Sequence, residues 1–316
     1  MEPMERLKMN FECQVLEDNR TSLNQCFLNC SKNHEDYIPA HFCDQHIPLE
    51  YRDEHMHSLI KSVADITVRV RCVYVSTSRP EFWPQVIGSE EQCPYPFYNF
   101  RGYKLSRFGS GRINRVVYFP DTPCTCGKCS QSDTPNLGSY IVFIDTATHV
   151  VFDEEEARKT SIRLFFDSYL SPKVNLDVLS MCYANVERDW CLLTCTTCDS
   201  DVGDTLAAKL KLFEKARNDF YYSYAKSRQN DPRAIIVSHP HGGPKQISLG
   251  HWENKQQVGD NNSYHRFHYT ANTCPGSSGA PVYLMGFKEW GWWDELLHSG
   301  ASSNGLNFSG AGVIYV

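Results

Sequence analysis

No stretch of this 316-residue chain is an unbroken apolar run of membrane-spanning length, so no transmembrane helix is expected. The first residues, MEPMERLKMNFECQV, carry no apolar segment after their charges. A cleavable secretion signal is therefore not expected, and the reading is an intracellular protein, cytoplasmic or nuclear. Positive charge is not in excess: 37 Asp and Glu against 31 Lys and Arg give a net charge of −6, which argues against nucleic-acid and anionic-membrane partners. No repeat of solenoid or propeller period is present, and no helix-borne His-x3-His pair supports a zinc hydrolase.

Cysteine, in contrast, is plentiful, with fourteen residues. In a reducing compartment these are buried thiols or metal ligands, and the Asn-x-Ser/Thr sites at Asn19, Asn29, Asn261 and Asn307 carry no information. Residues 1–58 read as a polar, loosely helical extension or adaptor. Within it, Cys26, Cys30, His41, Cys43 and His46 have the residue types but not the spacing of a standard zinc finger. Cys124, Cys126 and Cys129 lie close together in a loop, and Cys195 and Cys198 are available to complete a structural zinc site; the other reading is two separate thiol-rich hairpins.

Strand patterns dominate the remainder. Asp65 to Val75 alternates apolar and polar residues and predicts a strand, and Phe108 to Phe119 predicts one entered through a glycine turn. Further strands are expected at Tyr140–Ile144, Thr160–Asp167, Val174–Tyr183, Ala234–Ser238, Lys245–Trp252 and Arg266–Thr270. Residues 203–226 switch to helical spacing, with Leu206, Leu210, Phe213, Ala216 and Phe220 among charged residues, and predict an inserted amphipathic helix. The fold class is mainly β: two six-stranded antiparallel barrels, about 60–199 and 231–316, behind a small amino-terminal extension. The tryptophans Trp290, Trp292 and Trp293 fall in the tail of the second half.

The turn Gly276-Ser277-Ser278-Gly279-Ala280-Pro281 presents a hydroxyl beside small residues, the setting of an activated nucleophile with an oxyanion hole. Serine needs an imidazole to take its proton and a carboxylate to orient that imidazole. His149, at the end of a strand, and Asp189, at the start of another, precede Ser278 by chain order, with 40 positions between the first two and 89 between the last. Those spacings lie near the roughly 45 and roughly 93 of the chymotrypsin arrangement, whose order is His, Asp, Ser.

On these residues the sequence resembles the chymotrypsin-like serine peptidases. Thr146-Ala-Thr-His149 is similar to the family's Thr-Ala-Ala-His, Asp189-Trp-Cys-Leu-Leu193 to its Asp-x-Ala-Leu-Leu, and Gly276-Ser-Ser-Gly-Ala-Pro281 to its Gly-Asp-Ser-Gly-Gly-Pro. The resemblance covers about 60–316. It implies an endopeptidase acting through an acyl-enzyme on Ser278, with His149 as general base, Asp189 as its orienter, and the backbone N–H groups of Gly276 and Ser278 as oxyanion hole. It implies a protein or peptide substrate and no cofactor for catalysis. Ser277 stands where the family has aspartate, and no Arg-Ile-Val-Gly-Gly activation site is present. Activation by a new amino terminus is therefore not expected, and the enzyme is either constitutively formed or regulated by its amino-terminal region. Within the family the pattern is closest to glutamyl endopeptidases and intracellular trypsin-like proteins. By that resemblance Thr273, His298, Ser299 and Gly300 line the pocket for the residue before the cut (P1), with a taste for Glu or Gln. Asn272, where trypsin has an acid, argues against Lys or Arg. The alternative is a catalytically silent domain of the same fold that binds peptides or serves as a scaffold.

Overall fold

The structure, a computed structural model, describes residues 9–16, 23–42, 44–84, 93–224, 232–258, 264–285 and 296–313. Cys43, Asn19, Asn261 and the tryptophans Trp290, Trp292 and Trp293 lie outside them. In chain order the strands and helices begin with β1 (Met9–Phe11), β2 (Gln14–Leu16), α1 (Leu23–Leu28), β3 (Ile38–Pro39) and α2 (Glu54–Ile66). Then come β4 (Thr67–Cys72), β5 (Ser106–Pro123), β6 (Leu137–Thr146), α3 (Glu154–Ala157), β7 (Thr160–Leu164), β8 (Val174–Asn185) and β9 (Trp190–Thr197). The long helix α4 (Ser200–Tyr224) leads to β10 (Arg233–Ser238), β11 (Gln246–Gln257), β12 (Tyr264–Tyr269), β13 (Val282–Leu284), β14 (His298–Ser302), β15 (Asn307–Ser309) and β16 (Gly312–Val313).

Two antiparallel sheets of chymotrypsin type result. In the first, β5, β4, β7, β8, β9 and β6 pair in that order and β6 returns to β5, which closes a six-stranded barrel. In the second, β14, β15, β12, β11, β10 and β13 pair in order, and a bridge between Pro281 and Leu297 brings β13 back beside β14. Each sheet carries more than its six strands. The segment read as a loosely helical extension or adaptor supplies β2 to the first sheet, beside β5, and β1 and β3 to the second, beside β14 and β11.

The expected strand at Asp65–Val75 starts two residues later, because α2 runs on to Ile66. Asp53 caps that helix, its side chain accepting from the Met56 N–H at 2.9 Å. Met56, Leu59, Ile60 and Val63 recur at helical spacing and are buried. They join a core shared with Leu206, Phe213 and Phe220 of α4 and with Val70, Val142, Ile144 and Leu193 of the first barrel. Strand β10 alternates between the two barrels' cores: Ile235 and Val237 belong to this cluster, Ala234 and Ile236 to a second one with Phe267, Tyr269 and Val282.

Between Phe108 and Ile113 there is no glycine turn. Strand β5 is continuous over eighteen residues, and its glycine at Gly109 serves close approach instead. A Cβ there would stand 2.9 Å from the Ser278 carbonyl oxygen and 2.8 Å from Val150. Without it the nucleophile turn docks on the strand, the Ser110 N–H donating to the Ser278 carbonyl at 2.7 Å.

Candidate active site

The three residues singled out by order and spacing meet in the cleft between the barrels. His149 is delivered by the turn after β6, Asp189 by the turn between β8 and β9, and Ser278 by the turn before β13. All three are buried. His149 Nε2 lies 2.7 Å from Ser278 Oγ, and His149 Nδ1 lies 2.7 Å from Asp189 Oδ2. Asp189 also accepts from the Ser299 hydroxyl at 2.5 Å, the Thr148 hydroxyl at 2.9 Å and the His149 N–H at 3.1 Å. Burial alone would raise its carboxyl, but the charge and hydrogen bond of His149, with the Ser299 hydroxyl, hold it below the usual carboxylate range. The carboxylate is thus ionised and fixes His149 with a proton on Nδ1, leaving Nε2 to take the serine proton. Its backbone is left-handed (φ 54°), a conformation that aspartate tolerates better than most residues.

Behind the imidazole sits a second, fully buried charge cluster. Glu156 accepts from Arg79 Nε at 2.7 Å and Nη2 at 2.8 Å, and it also pairs with Arg107. The two guanidinium groups donate onward to the His149 carbonyl at 3.1 Å and the Val150 carbonyl at 2.8 Å, so they hold the backbone that aims the ring.

The nucleophile turn needs glycine at Gly276. Its φ is +102°, and a Cβ there would lie 2.5 Å from the His239 carbonyl oxygen. Ser277, in the place of the family's aspartate, turns inward: its hydroxyl accepts from the Cys274 N–H at 3.2 Å and lies 3.0 Å from the Ser238 hydroxyl. The turn is thereby braced without a buried charge. His239 and His241 are buried in the neighbouring loop.

The N–H groups of Gly276 and Ser278 converge on one oxygen, the carbonyl of Glu12, at 2.7 and 3.3 Å. The segment through Glu12 occupies the cleft. Strand β1 runs antiparallel to β14, pairing Phe11 with Gly300 and Asn10 with Ala301, and the Glu12 N–H donates to the Ser299 carbonyl at 3.1 Å. The Phe11 ring stacks on Trp83 at 4.7 Å and stands 5.0 Å from the His149 ring. The Glu12 side chain enters the pocket of His298, which approaches it at 2.8 Å, and it also pairs with Lys32.

Tyr269 Oη lies 2.8 Å from His298 Nδ1, and burial keeps the phenol protonated and the imidazole neutral. The proton order is therefore Tyr269 O–H to His298 Nδ1, and His298 Nε2–H to Glu12 Oε2. Burial would raise the Glu12 carboxyl, but its hydrogen bond to His298 and the Lys32 ammonium hold it below the usual carboxylate range. Thr273 contributes its carbonyl, which accepts from Lys32 Nζ at 2.9 Å, while its buried hydroxyl has no hydrogen-bond partner among the described residues. Glu12, Lys32 and Trp83 were not singled out in the sequence. The one available signal was an acid following an apolar residue in Asn10-Phe11-Glu12, upstream of a pocket expected to take acids.

Of the cysteines expected to hold zinc, Cys124, Cys126, Cys129 and Cys198 gather, their Sγ atoms all within 4.8 Å of one another. Cys195 is not among them. It lies inside β9 with its side chain in the barrel core, whereas Cys198 follows the end of that strand. Cys30 is brought together with His34, His241 and Cys274.

Residues 132–285 match the family model described as a trypsin-like peptidase domain. Similar solved structures include the HtrA-type protease AlgW with a decapeptide, at 12% identity over 80% of this chain and a TM-score of 0.40. Another is the active form of the Rv3671c protease from M. tuberculosis, at 10% identity over 84% of this chain and 82% of that one, with a TM-score of 0.38. The chain spans 63% of the AlgW chain. No curated protein sequence matches this chain. The segment that matches the trypsin-like peptidase domain carries His149, Asp189 and Ser278 together, on a chymotrypsin-type fold.

Proposed function

We propose that the chain is a serine endopeptidase that cuts after glutamate. The supporting observation is the pair of contacts at Ser278: a general base 2.7 Å from its hydroxyl, and two N–H donors converging on one carbonyl oxygen beside it. Ser278 Oγ attacks the substrate carbonyl carbon while His149 Nε2 takes its proton, and the Gly276 and Ser278 N–H groups stabilise the oxyanion. His149 then returns the proton to the leaving amine. Water repeats the sequence to release the acid. Asp189 keeps the imidazole oriented throughout.

The preference for glutamate rests on the donors facing Glu12. A neutral His298 N–H and the Lys32 ammonium suit a carboxylate; an apolar side chain would leave the buried His298 N–H unpaired. Glutamine would turn its own N–H groups toward one of them. Peptides differing only at P1 are expected to give kcat/KM for glutamate about 100-fold above glutamine, and lower still for leucine. A profile favouring leucine or lysine would remove the acidic preference, and no turnover of any peptide would leave the chain as a peptide-binding module.

Structural zinc at Cys124, Cys126, Cys129 and Cys198 belongs to the same proposal. The Cys129–Cys198 and Cys126–Cys198 sulfur separations are 3.5 and 3.9 Å, near the roughly 3.8 Å edge of a tetrahedral thiolate site. The Asn136 amide donates to Cys198 Sγ at 3.3 Å and so supports a thiolate there.

A further inference from the structure

We infer that the Glu12–Cys13 peptide bond is a substrate of the chain's own active site, a conclusion that rests on the peptidase reading above. The segment lies in the cleft as a substrate does, on both sides of that bond. Before it, β1 pairs with β14 and the Glu12 N–H is held by the Ser299 carbonyl. At it, the Glu12 carbonyl lies in the oxyanion hole and its carboxylate in the pocket of His298 and Lys32. After it, the Cys13 thiol donates to the Phe108 carbonyl at 3.3 Å, and β2 continues antiparallel along β5, pairing Gln14 with Phe108 and Val15 with Arg107. The carbonyl is therefore polarised next to a serine whose base is already in place.

Attack of Ser278 Oγ on the Glu12 carbonyl carbon forms the ester and breaks the C–N bond to Cys13, whose nitrogen takes the proton from His149. Water then hydrolyses the ester, freeing the Glu12 carboxylate and restoring Ser278. The products are a segment ending at Glu12 and a main chain beginning at Cys13.

The test follows purified full-length chain by intact mass and amino-terminal sequencing. A new terminus at Cys13 is expected, with a rate constant unchanged over a hundredfold dilution because both partners are in one molecule. Ser278→Ala is expected to stay intact, and Glu12→Gln to be cut about 100-fold more slowly. Wild-type chain that cleaves glutamyl peptides while its own Glu12–Cys13 bond persists overturns this inference alone. A rate proportional to chain concentration overturns it too. Chain that neither cuts peptides nor reacts with a fluorophosphonate overturns the peptidase reading with it.

A separate set of atoms carries a second assignment. The geometry points to a zinc ion held by Cys30, His34, His241 and Cys274. In a tetrahedral site with Zn–S of about 2.3 Å and Zn–N of about 2.05 Å, ligand atoms stand roughly 3.8 Å (S to S), 3.5 Å (S to N) and 3.3 Å (N to N) apart. Here Cys30 Sγ to Cys274 Sγ is 3.8 Å, His34 Nε2 to Cys274 Sγ is 3.3 Å, and His34 Nε2 to His241 Nε2 is 3.4 Å. The Gln14 amide nitrogen donates to the Val15 carbonyl, so its oxygen faces His241 Nδ1, 2.9 Å away. That fixes the proton on Nδ1 and leaves Nε2 free to bind metal. Such an ion would tie residues 30–34 to the start of the nucleophile turn.

Elemental analysis of the full chain is expected to give two zinc ions, one at each cysteine-bearing cluster. His34→Ala and Cys198→Ser are each expected to lose one, and their combination both. If His34→Ala keeps the wild-type content, or if mass spectrometry finds a Cys30–Cys274 disulfide, the Cys30 site falls.

Discussion

Replacing Ser278 with alanine is expected to lower kcat on a glutamyl peptide by about a million-fold and to abolish labelling by a fluorophosphonate. The size follows from the geometry. Among the described residues, the hydroxyl is the only group placed both at His149 Nε2, at 2.7 Å, and beside the two N–H donors, so its removal ends covalent catalysis and leaves only the oxyanion hole. The fold should survive, because the smaller side chain fits the same buried turn. The turn is held by backbone contacts, including Ser110 N–H to the Ser278 carbonyl at 2.7 Å. Undiminished labelling of a folded Ser278→Ala chain would assign the nucleophile elsewhere.

Glu156→Gln is expected to cost about 3–5 kcal/mol of stability, read as a lowered urea midpoint. Glutamine keeps the shape but removes the negative charge facing two fully buried guanidinium groups, Arg79 and Arg107. Burial alone would raise the Glu156 carboxyl; the two arginines hold it below its ordinary value. A carboxylate with a depressed folded pKa contributes fully above its unfolded value, and the contribution fades as pH falls through the folded one. The gap between wild type and variant should therefore shrink in acid. A midpoint difference worth under about 1 kcal/mol at neutral pH would show that the cluster is not what holds the His149 turn.

The sequence made the triad legible because each member sits beside a short apolar strand, Tyr140–Ile144, Trp190–Leu193 or Val282–Leu284, and chain order then limited the choices. Helix α4 was legible because its apolar residues recur at helical spacing in a long window. Glu156 was not: within Glu154-Glu155-Glu156-Ala157 it reads as one more solvated acid, and only tertiary packing against Arg79 and Arg107 buries it. Likewise β1 and β2 have three residues each, too few for a period, and their pairing partners are remote in sequence, about 290 positions away in β14 for β1 and about 90 in β5 for β2. Cys195 and Cys198 were indistinguishable as ligands because which of them turns away from the core depends on where β9 stops.

Strands β1 and β2 are joined by only Glu12 and Cys13, yet they belong to different barrels. While the segment is intact, an outside peptide binds only in the fraction of molecules from which it has come away. If that fraction were about one in a hundred, the apparent affinity would fall about a hundredfold. Because the competitor is tethered to the enzyme, this handicap is the same at every enzyme concentration. It ends only when the tether is cut and the short strand, left with three paired residues, diffuses off. Progress curves of freshly made chain should then begin with a lag whose length does not depend on how much enzyme is present.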